Sequence, residues 1–211
     1  AGDQMNPLGR DLWAKVREQF GNYRGQWEQR QLPAAASQLR SDLAGTLSRT
    51  IATLQQAYLD TPTVGNQKRI WEAWRLNARA LVDALEIWRE TIDDCRELDL
   101  DRLLPQLGPG LDTLGHRLER IGALWEARLA ADDAPDTDDG PLLEALDLGL
   151  DHSACADLSH FDRAALMSFL GQLEILDRAS REVLRTMGVL AGREPRWGFR
   201  VPSHVRDMFR P

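Results

Sequence analysis

Residues 151–160 read Asp-His-Ser-Ala-Cys-Ala-Asp-Leu-Ser-His, the densest gathering of potential ligands in the chain. His152, Cys155, Asp157 and His160 offer the nitrogen, sulfur and oxygen donors that zinc accepts. Their order matches no standard zinc framework, and no second Cys lies nearby. The competing reading is a polar connector whose Asp and Ser side chains cap the adjoining helices. Carboxylates also gather at Asp93-Asp94 and at Glu97, Asp99 and Asp101. Paired acids do general acid/base work only where one is kept protonated in a dry pocket. Here they fall where a helix ends and its outer face meets solvent. The Asp-rich run 131–140 lacks the closing bidentate Glu of a calcium loop and reads as a solvated surface loop. His116, beside Arg117, falls off the neighbouring leucine seam and is expected to face water. There is no phosphate-cradling glycine loop, nucleophile elbow or Ser/His/Asp order. The chain is expected not to be an enzyme, and no cofactor is implied.

The elements that must position these residues are helices. Trp71, Trp74, Ala78, Leu81, Leu85, Trp88, Ile92 and Cys95 alternate steps of three and four, the period of a helix packed lengthwise in a bundle. Trp71, Trp74 and Trp88 put large rings on this one seam, which predicts a central helix ending near Leu98. Rings at this spacing are expected to form core before they form a ligand pocket. Asn6-Pro7 marks the start of an earlier helix carrying Trp13, Val16, Phe20, Tyr23 and Trp27, with Gly21 and Gly25 suited to close approach of a neighbouring backbone. A second stripe runs from Leu39 through Leu43, Leu47, Ile51 and Leu54 to Tyr58, between Pro33 and Pro62.

Beyond a Pro/Gly corner at 100–110, Leu111, Leu114, Leu118, Ile121 and Trp125 predict a helix running back beside the central one and closing near Leu129. A short helix is expected after Pro141, carrying Leu142, Leu143, Leu146 and Leu150. Ser159 caps the last long helix, whose seam from Leu166 to Leu190 has one polar break, Ser180. No strand alternation is found. The expected fold is all-α: an elongated antiparallel bundle of about five long helices with short accessory helices. Residues 1–192 form the bundle and 193–211 a separate tail.

A net charge of −7 argues against a nucleic-acid partner, since a phosphate footprint needs a basic face. Hydrophobic content of 43% and charged content of 28% belong to a globular chain. Cys95 and Cys155 sit in unlike contexts and suggest a reducing compartment. The tail is different. Arg193, Arg196, Trp197, Arg200, His204, Arg206 and Arg210 interleave positive charge with aromatic residues. Such a run suits the cytoplasmic side of a bilayer, or a tail folded back on the bundle.

Three stretches carry a family resemblance: Trp71-Glu72-Ala73-Trp74-Arg75-Leu76, Leu170-Gly171-Gln172-Leu173, and the ending Arg200-Val201-Pro202-Ser203-His204-Val205-Arg206-Asp207. Set among long Ala/Leu/Arg-rich helices, they resemble the soluble domain of the fusaric acid resistance (FUSC) family, the aromatic-acid-exporter-like membrane proteins. The resemblance implies transmembrane bundles of the same polypeptide on either side. It places the domain on the cytoplasmic face of a bacterial inner membrane. It also implies export of small aromatic or organic acids, a periplasmic adaptor for the full transporter, and an assembly or regulatory role for this domain. Two other readings stand beside it. One is a free-standing helical scaffold that pairs as a homo-oligomer through spare apolar residues Leu76, Val82 and Ile87. The other is a metal- or ligand-binding bundle using His152, Cys155 and His160.

Overall fold

The computed structural model describes residues 2–60, 67–128 and 138–192. These form α-helices α1 (Gly2–Gln29), α2 (Ala35–Asp60), α3 (Lys68–Asp94), α4 (Leu100–Leu103), α5 (Leu107–Ala127), α6 (His152–Cys155) and α7 (His160–Leu190), with a 3-10 turn at Gly140–Leu143. Among the described residues there is no strand. The fold is an all-α bundle.

The tryptophan seam lies where its period puts it. Trp71, Trp74, Leu81, Leu85 and Trp88 of α3 are all buried. Trp74 meets Trp13 of α1 edge-on at 6.1 Å, and Trp88 stacks on Phe20 at 6.0 Å, so α1 and α3 run parallel through the middle of the molecule. α2 packs antiparallel against α1, with Lys15 reaching Thr46 and Gln19 reaching the Ala36 carbonyl. α7 packs antiparallel along α3, where Asn77 donates to Thr186 at 3.0 Å.

α5 departs from the expected neighbour. It lies beside α1 and α7, touching α3 chiefly through the Trp125 ring. Salt bridges from Arg10 to Glu126 and from Arg24 to Asp112 set it antiparallel to α1. α5 and α7 therefore run in the same direction, and the chain between them must travel back up the bundle. The leucines expected to form a helix after Pro141 serve this return. The 3-10 turn and the irregular chain after it form a strap with Leu142, Leu143, Leu146, Leu148 and Leu150 packed on the core. Its backbone pairs with α4 and the start of α5: Gln106 N–H donates to the Leu148 carbonyl and Asp151 N–H to that of Leu103. A helix rises only about 1.5 Å per residue, so an extended strap covers the distance with fewer residues.

Smaller differences have local causes. α1 begins before Pro7, which sits inside the helix and removes one backbone bond there. α3 ends at Asp94, with Cys95–Leu98 as a turn, and α5 starts at Leu107 rather than Leu111. No neighbour approaches within 4 Å of a methyl placed on Gly21 or Gly25, so these glycines do not serve close packing. Gly9 does: a Cβ there would lie 1.9 Å from Trp125 Cζ2. The helix end near Leu129, most of the Asp-rich loop and the whole tail fall outside the described residues.

Candidate functional site

The 151–160 run is a capping corner. Asp151 Oδ1 accepts hydrogen bonds from the Ser153 and Ala154 backbone N–H groups and from the Ser153 hydroxyl, closing the start of α6. These bonds hold its carboxyl below the usual range. Ser159 Oγ accepts from Asp162 N–H, and its hydroxyl donates to the Asp162 carboxylate, which opens α7. His152, Cys155, Asp157 and His160 are strung around these turns and not gathered. Among the described residues, no group of three or more His, Cys, Asp or Glu side chains is placed to hold a metal ion. The donors are spread over the short α6, its C-terminal turn and the first residue of α7, so the zinc reading is not supported there.

The aromatic seam closes on itself. Trp13, Trp71, Trp74 and Trp125 form one cluster with ring centroids 5.4–6.1 Å apart. The indole N–H groups of Trp13, Trp71, Trp74 and Trp88 have no conventional acceptor. In the edge-on arrangements of the first three, neighbouring π faces are the acceptors at hand. Arg128 roofs this end, its guanidinium 3.6 Å from the Trp125 ring centroid. It donates to Asn6 Oδ1 and to the Trp125 carbonyl, and burial lowers its pKa to about 10. Close packing of the four rings makes this end core and not a ligand pocket.

The most elaborate polar site is Arg117, fully buried on α5. Its Nη1 donates to Asp177 Oδ1 at 2.7 Å and to Ser180 Oγ at 2.7 Å, both on α7. Nε donates to the Leu142 carbonyl at 2.6 Å and Nη2 to that of Glu144 at 3.1 Å, both on the strap. One side chain thus ties three pieces of chain together. Burial pushes its pKa down, and Asp177 acts in the opposite direction. The role is structural: a fully buried cation whose hydrogen bonds join two helices and the strap. His116 beside it is exposed, as the seam implied.

At the opposite end from the tryptophans, the parallel pair α1 and α3 terminates around a polar cleft of about 490 Å³. Gln26, Trp27, Asp93, Glu97, Asp99 and Asp101 are among the residues lining it. Gln26 Nε2 donates to Asp93 Oδ1 at 2.7 Å, while its buried Oε1 accepts no hydrogen bond from the described residues. Arg30 Nη1 donates to the Arg96 carbonyl, and Arg96 pairs with Asp93 at 3.1 Å. Cys95 forms part of the wall, buried and free of any disulfide, its thiol pushed up to about 12 by burial and then by Asp94.

Compared with known protein families, curated proteins and solved structures, the chain matches none. Its own surface is therefore the guide to function. On the outer side of α3 and α7, Leu76 (56% exposed) and Ile87 lie three turns apart on α3, and Met167 and Ile175 are exposed on α7. The Asn77–Thr186 bond fixes the register of the two helices and sets Ile87 level with Ile175. Val82, read as a spare apolar residue beside Leu76 and Ile87, is buried in the core instead. Exposed charges of Asp83, Glu90 and the Glu174–Arg178 pair border this face.

Proposed function

We propose that this chain is a non-catalytic assembly module that docks through the outer face of α3 and α7. The observation that carries the reading is the contrast between a bundle interior packed with aromatic and aliphatic side chains and the exposed Leu76, Ile87, Met167 and Ile175 outside it. Apolar groups bordered by charge are the usual form of a protein contact, with a greasy centre and a polar rim. In the fuller form of the reading, supported by the resemblance to the FUSC family, the module belongs to a bacterial inner-membrane efflux protein for small aromatic or organic acids. It would sit on the cytoplasmic face beside transmembrane bundles of the same polypeptide, packing against them or against a second copy. No helix among the described residues is long and apolar enough to cross a membrane, so any span would be supplied from elsewhere.

Two measurements test the two levels separately. Sedimentation velocity of the chain across a concentration series should show self-association that Leu76→Glu with Ile175→Glu abolishes without changing the helical circular-dichroism signal. A strictly monomeric chain that also fails to cross-link to its neighbouring segments in membranes would remove the docking reading. The genomic reading frame tests the exporter form: hydrophobic spans on both sides support it, and their absence reduces the chain to a scaffold.

A further inference from the structure

We propose that the basic, aromatic run 193–211 seats on the outer face of α3 and α7 of its own chain, where it competes with any partner. The seat is a second stripe on α3. Ala73, Leu76, Ala80, Asp83, Ile87, Glu90 and Asp94 repeat the three-four spacing of the tryptophan seam, and all are exposed. Met167 and Ile175 extend the apolar part of this face onto α7. Such spacing is the pattern of a helix face that packs against another segment. Among the described residues, no element covers this one.

Charge selects the occupant. Asp83, Glu90 and Asp94 form no salt bridge among the described residues. The acids of α7 on this face are already matched, Glu174 by Arg178 and Glu182 by Arg185. The basic residues of α3 lie away from the three free carboxylates. Lys68 and Arg69 stand in its first turn, and Arg75 pairs with Glu72. Arg79 is two turns before Glu86, whose bond to Arg40 marks the α2 side. The run 193–211 carries five arginines against Glu194 and Asp207, with Trp197, Phe199, Met208 and Phe209 among them. It supplies the two things that the face lacks, positive charge and large rings.

Reach is a separate observation. The Asn77–Thr186 bond sets Gly192 level with Trp71, at the head of the stripe. Gly192 has φ +81°, the left-handed turn that stops α7 there. From Ala73 to Asp94 the stripe rises about 32 Å, whereas residues 193–211 can span up to about 65 Å. Trp197, five residues past Gly192, can reach as far as Ala80, and Arg200 and Arg206 as far as Asp83 and Glu90. The competition, unlike the seat, rests on the assembly reading of this face.

The test compares amide NMR spectra of the full chain with those of Trp197→Ala/Phe199→Ala. The variant should shift amides along residues 73–94 and 167–175 and leave those of the buried tryptophans unmoved. The same differences should persist on dilution, as a contact within one chain requires. Asp83→Lys/Glu90→Lys, at two exposed positions, should shift the amides of residues 193–211, and an unchanged denaturation midpoint confirms its fold. In sedimentation velocity the Trp197/Phe199 variant should self-associate about tenfold or more tightly than the parent chain, since the competitor is gone. These shifts without self-association in either chain would remove the assembly reading and leave the seat standing. The proposal is overturned if the tail variant leaves the face amides unchanged, if the changes fall on another surface, or if both chains self-associate equally. Differences that vanish on dilution also overturn it, by assigning the contact to a second copy. Tail signals that broaden with anionic vesicles, beside unchanged face amides, overturn it in favour of a bilayer.

Discussion

The two ends of the α1–α3 pair are built from opposite materials. At the N-terminal end, Trp13, Trp71, Trp74 and Trp125 fill the space between helices and Arg128 closes over them. At the C-terminal end, the same two helices finish beside exposed carboxylates, with Gln26 donating to Asp93 between them. Large rings bury roughly 150–250 Å² each and make one end rigid. The other end has only the half-buried Trp27 and keeps a cleft. Dense apolar packing and an open polar cleft are thus separated along one pair of rods. A substitution's cost should depend on which end it touches.

The largest effect should come from the ring cluster. Trp74→Ala, at a fully buried position touching three other tryptophans, should lose about 3–5 kcal/mol in urea denaturation. Trp88→Ala should fall in the same range of about 3–5 kcal/mol. A neutral result for either would mean that the seam faces solvent. Arg117→Met comes next. It removes the buried partner of Asp177, whose other oxygen keeps Arg181, and frees two strap carbonyls, costing up to about 3–5 kcal/mol. Amide exchange in residues 142–151 should rise with it. If exchange there is unchanged, Arg117 does not hold the strap.

Glycines sharpen the comparison, because propensity and packing pull in opposite directions. Gly25→Ala, with nothing within 4 Å of the new methyl, should stabilise by about 0.5–1 kcal/mol. Gly9→Ala gains the same propensity but drives a methyl into Trp125, and should lose about 1–3 kcal/mol net. Equal effects at both positions would contradict the packing of α1 against α5.

Near neutral pH the smallest effect is that of Cys95 ionisation, which grows only on the alkaline side. The unfolded thiol ionises near pH 8.5, whereas the folded one is held up to about 12. The folded chain thus keeps a proton that the unfolded chain gives up. Stability from this group is complete below roughly pH 8.5 and is lost as the pH climbs toward the folded value. Cys95→Ala should flatten the alkaline side of the stability profile, and wild-type Cys95 should resist alkylation until the chain unfolds. Rapid labelling of Cys95 in the folded chain would show that the cleft wall is open.

The helices were legible because each has a continuous apolar stripe. The α7 seam from Leu166 to Leu190 and the Ser159 cap could be read position by position from spacing and residue type. Helix neighbours were not legible. The period of α5 shows which face is buried but not that α1 and α7 cover it, since that depends on a return strap whose leucines carry no clear period. Arg117 was the main omission. A single Arg on a helix looks like a surface residue, and its partners stand 25 to 63 positions away. One signal did point to it: Ser180, the lone polar break in the α7 seam, marks where the buried guanidinium arrives. The ligand-like run at 151–160 misled for a related reason. Donor types were visible there, but the convergence of their side chains is a property of the folded chain. The cleft at Gln26 was half visible, as the acids at 93–101, while the orphaned acceptor needed the packed helix ends to appear.

Native-state hydrogen exchange, followed residue by residue under mild denaturant, tests the two-ended account most directly. Amides of α1 and α3 around Trp13, Trp71 and Trp74 should exchange only through global unfolding. Those at residues 92–101 should exchange through a local opening of much lower free energy. Uniform protection along both helices, or a cleft end more protected than the tryptophan end, would contradict it.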